Sequence, residues 1–260
     1  AREGSGVFDP VKKRGAKYSF YEMDEFLNID LDSLQSSFEK RKVKLFVIIH
    51  YFGFVDPRYA EAIEMARSFG VKVLEDEAHS FYTNFVGGVT GVMGDASIFS
   101  LHKMFPIEYG GMLSITDSER RIVAEEVDVD FPVVYDFPKI ARKRVENALL
   151  IAELLEEHGD KITIMKPCLQ VGEIPQTYPI LIKTVSRDQL YEKMNEAGFG
   201  VVSLYHTMID LIAENEYPKS HFVAKRILNL PVHQDADYIQ IKAMVKTLLE
   251  EINTLELNLA

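Results

Sequence analysis

Between Val71 and Gly111 the chain gathers side chains that could share one reaction. A short apolar run, Val71 to Leu74, ends in Glu75-Asp76 and continues through Glu77 and Ala78 to His79. A second run, Ala96 to Phe99, ends in Ser100, with His102 and Lys103 directly after it. Runs of this kind read as strands, and ligands of open α/β sheets bind beyond the carboxyl ends of the strands. A carboxylate, a hydroxyl and an amine therefore converge on one sheet edge. Taken singly each is weak, because a strand-end Asp commonly caps a helix and a loop lysine is usually a solvated charge. Together they suit pyridoxal phosphate chemistry. Such an enzyme needs a lysine to form a Schiff base with the aldehyde and a carboxylate to keep the pyridine nitrogen protonated. Hydroxyl and N–H groups must also hold the phosphate. Asp-x-x-His followed by Ser-x-x-Lys, with Lys103 standing 27 positions after Asp76, supplies one of each.

The elements that must position these groups are legible in the first half. Lys17 to Tyr21 reads as a strand, and Asp30 as the cap of a helix with Leu31, Leu34 and Phe38 on one face. Val43 to Ile49 is nearly continuous apolar sequence, as expected of a strand covered on both faces. Asp56-Pro57 reads as a helix start and Gly70 as its stop. Met112 to Ile115 forms a further strand after Gly110-Gly111. Strands alternating with helices predict a mainly parallel α/β sheet. Beyond Thr116 the pattern changes. Val127 to Tyr135 reads as a connection, and a long helix follows from Pro138 to His158 with Ala141, Val145, Ala148, Leu149, Ala152 and Leu155 on its buried face. Strands are expected at 162–165, 178–182 and 200–204, and helices at 187–197 and 235–252. The expected division is a large cofactor-binding domain over 1–125 and, over 126–260, the long connecting helix with a smaller α+β domain.

Composition narrows the function. The chain has 260 residues, 47% hydrophobic and 27% charged, enough for a sizeable core. Its net charge of −11 opposes binding a nucleic-acid backbone by bulk charge. One cysteine, Cys168, excludes an internal disulfide and a zinc-ribbon site. No apolar run is long enough to span a bilayer, and the first residues lack a signal-peptide core, so a cytoplasmic protein is the default expectation.

The motifs resemble the DegT/StrS-type sugar aminotransferase family, pyridoxal phosphate enzymes of the type I aminotransferase fold. Phe20-Tyr21 through Asn28 to Leu34 resembles the strand and helix before the family's site. His50-Tyr51-Phe52-Gly53 resembles its His-x-x-Gly turn, and Glu75-Asp76-Glu77-Ala78-His79 its Glu-Asp-x-Ala-Gln/His motif. Gly94-Asp95-Ala96 to Ser100 resembles the strand entering the Schiff-base loop, Gly110-Gly111 its closing turn, and Leu228 to Asp235 the Leu-Pro-x-His stretch before the last helix. The resemblance implies that Lys103 is the Schiff-base lysine, placed as the only lysine between Ser100 and Gly110. It further implies Asp76 as partner of the pyridinium, His79 against the ring or its 3-hydroxyl, and Ser100 on the phosphate. Two departures stand out. The loop from Ser100 to Lys103 is two residues shorter than usual. The family's N-terminal phosphate-cradling segment has no counterpart, since Ser5 to Pro10 matches a later point, and the family has more chain than Thr116 to Pro138 provides. The expectation is thus a shortened sequence or a protein that has lost part of its site.

The resulting expectation is a pyridoxal 5'-phosphate-dependent aminotransferase that moves an amino group from a glutamate-like donor to a nucleotide-linked keto sugar. No metal is expected, and fold analogy implies a homodimer. The alternatives are a non-catalytic homologue acting as a binding or regulatory protein, and a dehydratase-like relative using His102. His50 reads either as a structural histidine or as lining the cofactor pocket. His206 either packs at the surface or approaches substrate, and His233 reads as a turn residue. Arg142, Lys143 and Arg144 read as a solvated face, and Gly87, Gly88 and Gly91 as a loop that requires no nucleotide.

Overall fold

The computed structural model describes residues 8–116, 135–204 and 208–258. After a short helix α1 (Phe8–Lys13), helix α2 (Leu31–Lys40) begins at Asp30, whose side chain accepts from the Ser33 N–H. Its buried Leu34 and Phe38 pack toward strand β1 (Leu45–Ile49). Helix α3 (Tyr59–Ser68), strand β2 (Lys72–Asp76), a short helix α4 (Phe81–Phe85), strand β3 (Ala96–Ser100) and strand β4 (Gly111–Ile115) follow. Gly70 ends the α3 segment with φ +68°, a left-handed value that glycine adopts without strain.

The first sheet has the order β1-β2-β3-β4, with β1, β2 and β3 parallel and β4 antiparallel at one edge. The expected mainly parallel α/β sheet is present. Register fixes the site: Ile49 pairs with Asp76, and Asp76 pairs with Ile98. Asp76 and Ser100 therefore both lie at carboxyl ends of neighbouring parallel strands. Side chains alternate along a strand. Asp76 and, two residues past Ile98, Ser100 share one face, while Glu75 takes the opposite face, toward α3.

The second half opens with the long helix α5 (Phe137–Leu155), capped by Asp136 and extended by a 3-10 turn to His158. Strands β5 (Ile162–Ile164) and β6 (Thr177–Ile182), helix α6 (Arg187–Glu196), helix α7 (Pro218–Ala224), strand β7 (Ile227–Pro231) and helix α8 (Tyr238–Leu257) complete it. The three strands form an antiparallel sheet in the order β5-β6-β7. Helix α8 starts on a capping box in which Asp237 and Gln240 satisfy each other's backbone N–H. Its buried Ile241, Met244, Val245, Leu248 and Ile252 meet Ala148, Ile151 and Leu155 of α5 in one core.

Several expectations differ from the structure. Residues 17–21 form no strand; the chain there makes only an isolated bridge, Met23 to Ile29. Pro57 does not open α3. Asp56 instead turns the chain before it, accepting from the N–H groups of Ile29 and Arg58. The 200–204 strand reduces to one bridge, Val202 to Asn229, and β7 takes the sheet position beside β6. On α5, Leu149 is exposed, and Arg144, read as solvated, is buried over the Tyr82 ring at 5.0 Å. Its guanidinium donates to Gln234 Oε1 and the Gln176 carbonyl, which is what makes the buried charge tolerable. Val127 to Val134 and the 125/126 boundary lie outside the described residues, as does His206.

Candidate active site

Asp76 closes β2 with its carboxylate accepting from the Ala78 N–H at 2.9 Å, which starts the turn that returns His79 to the strand edge. Ser100 closes β3, and a 3-10 turn over Leu101–Lys103 carries the lysine back across that edge. The result is a contact: Lys103 Nζ lies 3.2 Å from His79 Nε2. Met104 and Phe105 beneath the turn are buried, in one cluster with Phe81 and Phe99, and anchor its position.

Burial shapes the charges. The Asp76 carboxyl is pushed up by burial, opposed by the Ala78 N–H and by the positive charge of Lys103. Lys103 is held below the usual lysine value by burial, with Asp76 opposing. Burial pushes His79 down to about 3, and Lys103 adds to the effect. A neutral imidazole must then accept at Nε2 from the Lys103 amine, and its proton sits on Nδ1. That Nδ1 is buried and has no hydrogen-bond partner among the described residues. A buried donor left unmatched is costly, and such groups cluster where a ligand completes the site. The His79 ring lies nearly parallel to Phe52, at 14° and a centroid distance of 5.5 Å.

Phe52 itself is held at φ +60° in the turn from Tyr51 to Phe54, where the Phe54 N–H donates to the Tyr51 carbonyl. Gly53 follows at φ +88°, and a Cβ there would sit against the Ile174 carbonyl oxygen. Only glycine permits that approach, which explains the His-x-x-Gly spacing physically.

His50 resolves toward the structural reading. Its Nε2 lies 2.8 Å from Glu75 Oε2 on the face opposite to Asp76. Glu75 is the best satisfied carboxylate of the region, accepting also from Tyr59 Oη and from the N–H groups of Gly91, Met93 and Gly94. The glycine-rich loop before β3 thus wraps an anion the protein supplies itself. His102 and Lys103 are both exposed as residues, but they reach different partners: His102 Nδ1 lies 3.3 Å from the Gly110 carbonyl, and the Lys103 amine reaches back to His79. His233 lies in a turn, with Nδ1 3.4 Å from Asp235 Oδ2.

Glu75, Glu77 and Phe52 were given no role by sequence, and Arg144 was read as part of a solvated face. The signal for the two glutamates was present: a strand end with three consecutive carboxylates must bury some of them. Arg144 carried no such signal, because its burial depends on Tyr82 and Gln234, far away in the chain. A groove of about 490 Å³, lined by Phe26, Asn28, Thr163, Lys166, Cys168 and Glu173 among others, contains none of Asp76, His79, Ser100 and Lys103.

Residues 5–127 match the sequence model of the DegT/DnrJ/EryC1/StrS aminotransferase family. Among curated relatives, the dTDP-4-amino-4,6-dideoxy-D-glucose transaminase of Escherichia coli is 23% identical over 264 residues, covering 85% of this chain and 70% of that protein. A DegT DnrJ EryC1 StrS aminotransferase from Brucella abortus superposes with a TM-score of 0.73 at 18% identity, over 93% of this chain and 75% of that one. The E. coli GDP-4-keto-6-deoxy-D-mannose-3-dehydratase with bound hydrated PLP superposes with a TM-score of 0.72 at 17% identity, over 94% and 76%. Residues 5–127 thus match the DegT/DnrJ/EryC1/StrS aminotransferase family model, and over most of the chain the fold is that of these solved structures.

Proposed function

We propose that this chain is a pyridoxal-phosphate-dependent aminotransferase that takes an amino group from a glutamate-like amino acid and gives it to a nucleotide-linked keto sugar. The observation that carries the reading is the Lys103–His79 contact beside Asp76 at the carboxyl ends of β2 and β3. The orphaned His79 Nδ1 fits an added acceptor, and Lys103, Asp76 and Ser100 are the amine, anion and hydroxyl that would hold the cofactor. When bound, pyridoxal phosphate supplies an aldehyde for amines and a ring that takes up the electron pair of a broken C–H bond.

The chain's own residues do the rest. Partial desolvation lowers the proton affinity of the Lys103 amine, with Asp76 opposing, so a larger share of it is neutral near pH 7 than in a fully solvated lysine. Its Nζ takes the proton from the donor's α-carbon and acts as the acid in the second half-reaction. Asp76 presents a negative charge to a cationic ring nitrogen, and its hydrogen bond to Ala78 keeps that charge in place. His79 stays neutral and takes a hydrogen bond from Lys103 without competing for its proton. Ser100 offers its hydroxyl to the phosphate. His102 points its Nδ1 at the Gly110 carbonyl rather than at His79, which disfavours it as the site's base. The large domain over 1–125, the small one over 126–260, a homodimer and a cytoplasmic location are parts of the same reading. Among the described residues, no helix is long and apolar enough to cross a membrane.

Visible absorption after adding pyridoxal phosphate, followed by borohydride reduction and peptide mass mapping, tests the reading. A pyridoxyl mass on the Lys103 peptide, with amino transfer from glutamate, is the expected result. Label elsewhere, or cofactor bound with His102 essential and Lys103 dispensable, overturns it. No binding at all favours a non-catalytic homologue.

A further inference from the structure

Behind Asp76, on the opposite face of β2, lie three titratable groups the mechanism does not use. His50, Glu75 and Glu77 are all buried, at 1%, 0% and 0% exposure. His50 Nε2 lies 2.8 Å from Glu75 Oε2 and 3.4 Å from Glu77 Oε1. Two carboxylates therefore face one imidazole nitrogen. They are not equivalent. Among the described residues Glu75 has five donors, whereas Glu77 has a hydrogen bond from Thr90 Oγ1 alone, at 2.9 Å on Oε2. Glu77 Oε1 and His50 Nδ1 are buried without hydrogen-bond partners among the described residues.

With His50 neutral and both glutamates ionised, the pocket would hold two negative charges, Glu75 matched by its own donors and Glu77 left with its Oε1 unmatched among the described residues. Burying a second anion without a matched donor is expensive, and buried groups change protonation state instead. One extra proton, on His50 as imidazolium or on Glu77 as carboxylic acid, leaves a single net negative charge. Moving between the two forms takes the proton from His50 Nε2 to Glu77 Oε1, 3.4 Å away, and leaves the neutral ring with its remaining proton on Nδ1.

We propose that His50 and Glu77 hold one proton in common against Glu75, and that Glu77 is a positioning residue for the electrostatics of Asp76. The bearing on catalysis rests on the role given to Asp76 above; the shared proton does not.

The groups facing this proton come from every packed element: His50 after β1, Glu75 and Asp76 on β2, Tyr59 on α3, Thr90 in the loop before β3, and Asp56 acting at longer range on His50. Burial pushes Glu77 up to about 7, opposed by His50 and Thr90, while Glu75 and Asp76 push further in the same direction. Asp76 and Glu77 are thus coupled anions: when Glu77 loses its proton, Asp76 gains affinity for one. The backbone ties them too, because the His50 N–H donates to the Asp76 carbonyl and the Glu77 N–H to the Ile98 carbonyl.

Carboxyl carbon-13 NMR of the folded chain without cofactor tests this. One glutamate carboxyl should titrate near pH 7, Glu75 should stay ionised, and the Asp76 resonance should shift across the same window. Glu77→Gln should delete the titration and flatten the Asp76 shift. Thr90→Val should move the midpoint upward, which serves if the first variant does not fold. All buried glutamates titrating in the ordinary carboxylate range, an unchanged Asp76 shift in Glu77→Gln, or a stoichiometric metal ion in the purified protein would each overturn the proposal. Because no cofactor is present, failure of the aminotransferase reading leaves these results unchanged.

Discussion

The Lys103 amine lies 3.2 Å from the Nε2 of His79, although 24 residues separate them, and its positive charge helps to keep that imidazole neutral. Lys103→Ala removes the positive charge that helps hold His79 down. The His79 midpoint should rise in that variant, read as a shift of its ring resonances in a pH titration. Amino transfer should fall to background in the same protein.

Asp76→Asn tests the other neighbour. Asp76 supports the charged form of Lys103, so removing its charge should lower the lysine's proton affinity further and make it react with amine reagents at lower pH. Loss of a placed charge at a reacting centre typically costs about 10²–10³-fold in turnover. A reactivity profile that does not move would separate Asp76 from Lys103.

Stability should depend on His79 below neutral pH. Its ordinary value is 6.5 and its folded value about 3, so the unfolded chain binds the extra proton between these limits. The neutral ring's contribution is complete above 6.5 and is lost as pH falls toward 3, with a slope of up to about 1.4 kcal/mol per pH unit. In His79→Asn, denaturant midpoints measured across that window should fall less steeply than in the parent.

Gly53→Ala should destabilise the whole chain. The position has φ +88°, and the added carbon meets the Ile174 carbonyl oxygen. The cost should exceed about 1 kcal/mol. Thermal unfolding should shift down by at least about 2–4 °C. An unchanged melting temperature would show that the turn can relax away from Ile174.

Local signals were enough for much of this fold. Asp30 and Gly70 announce helix ends by chemistry that needs no partner, and the apolar run ending at Ile49 does form a strand. That strand is not covered on both faces: Phe46 and Ile48 are buried, Val47 and Ile49 half-buried and Leu45 exposed. That Asp76, Ser100 and the His79–Lys103 pair would lie at one sheet edge was legible because strand ends and the turns after them fix these positions within a few residues. What failed depended on distant contacts. The Lys17 to Tyr21 run has strand composition but no strand beside it to pair with among the described residues, and Val202 meets β7 at one residue only. The fates of Arg144 and Glu77 were decided by Tyr82 and Thr90, which no spacing rule connects to them.

Phe52 and Phe54 leave the end of β1, yet both are buried in the cluster built by α5, α8 and the second sheet. Phe52 is also the ring against which His79 rests. The floor beneath the reactive groups is consequently borrowed from the other half of the molecule. A peptide cut after Thr116 would keep Asp76, Ser100 and Lys103 in sequence while exposing two phenylalanines to water and freeing the imidazole to tilt. Recombination experiments that exchange the second half between relatives would therefore retune the chemistry without altering a reacting residue.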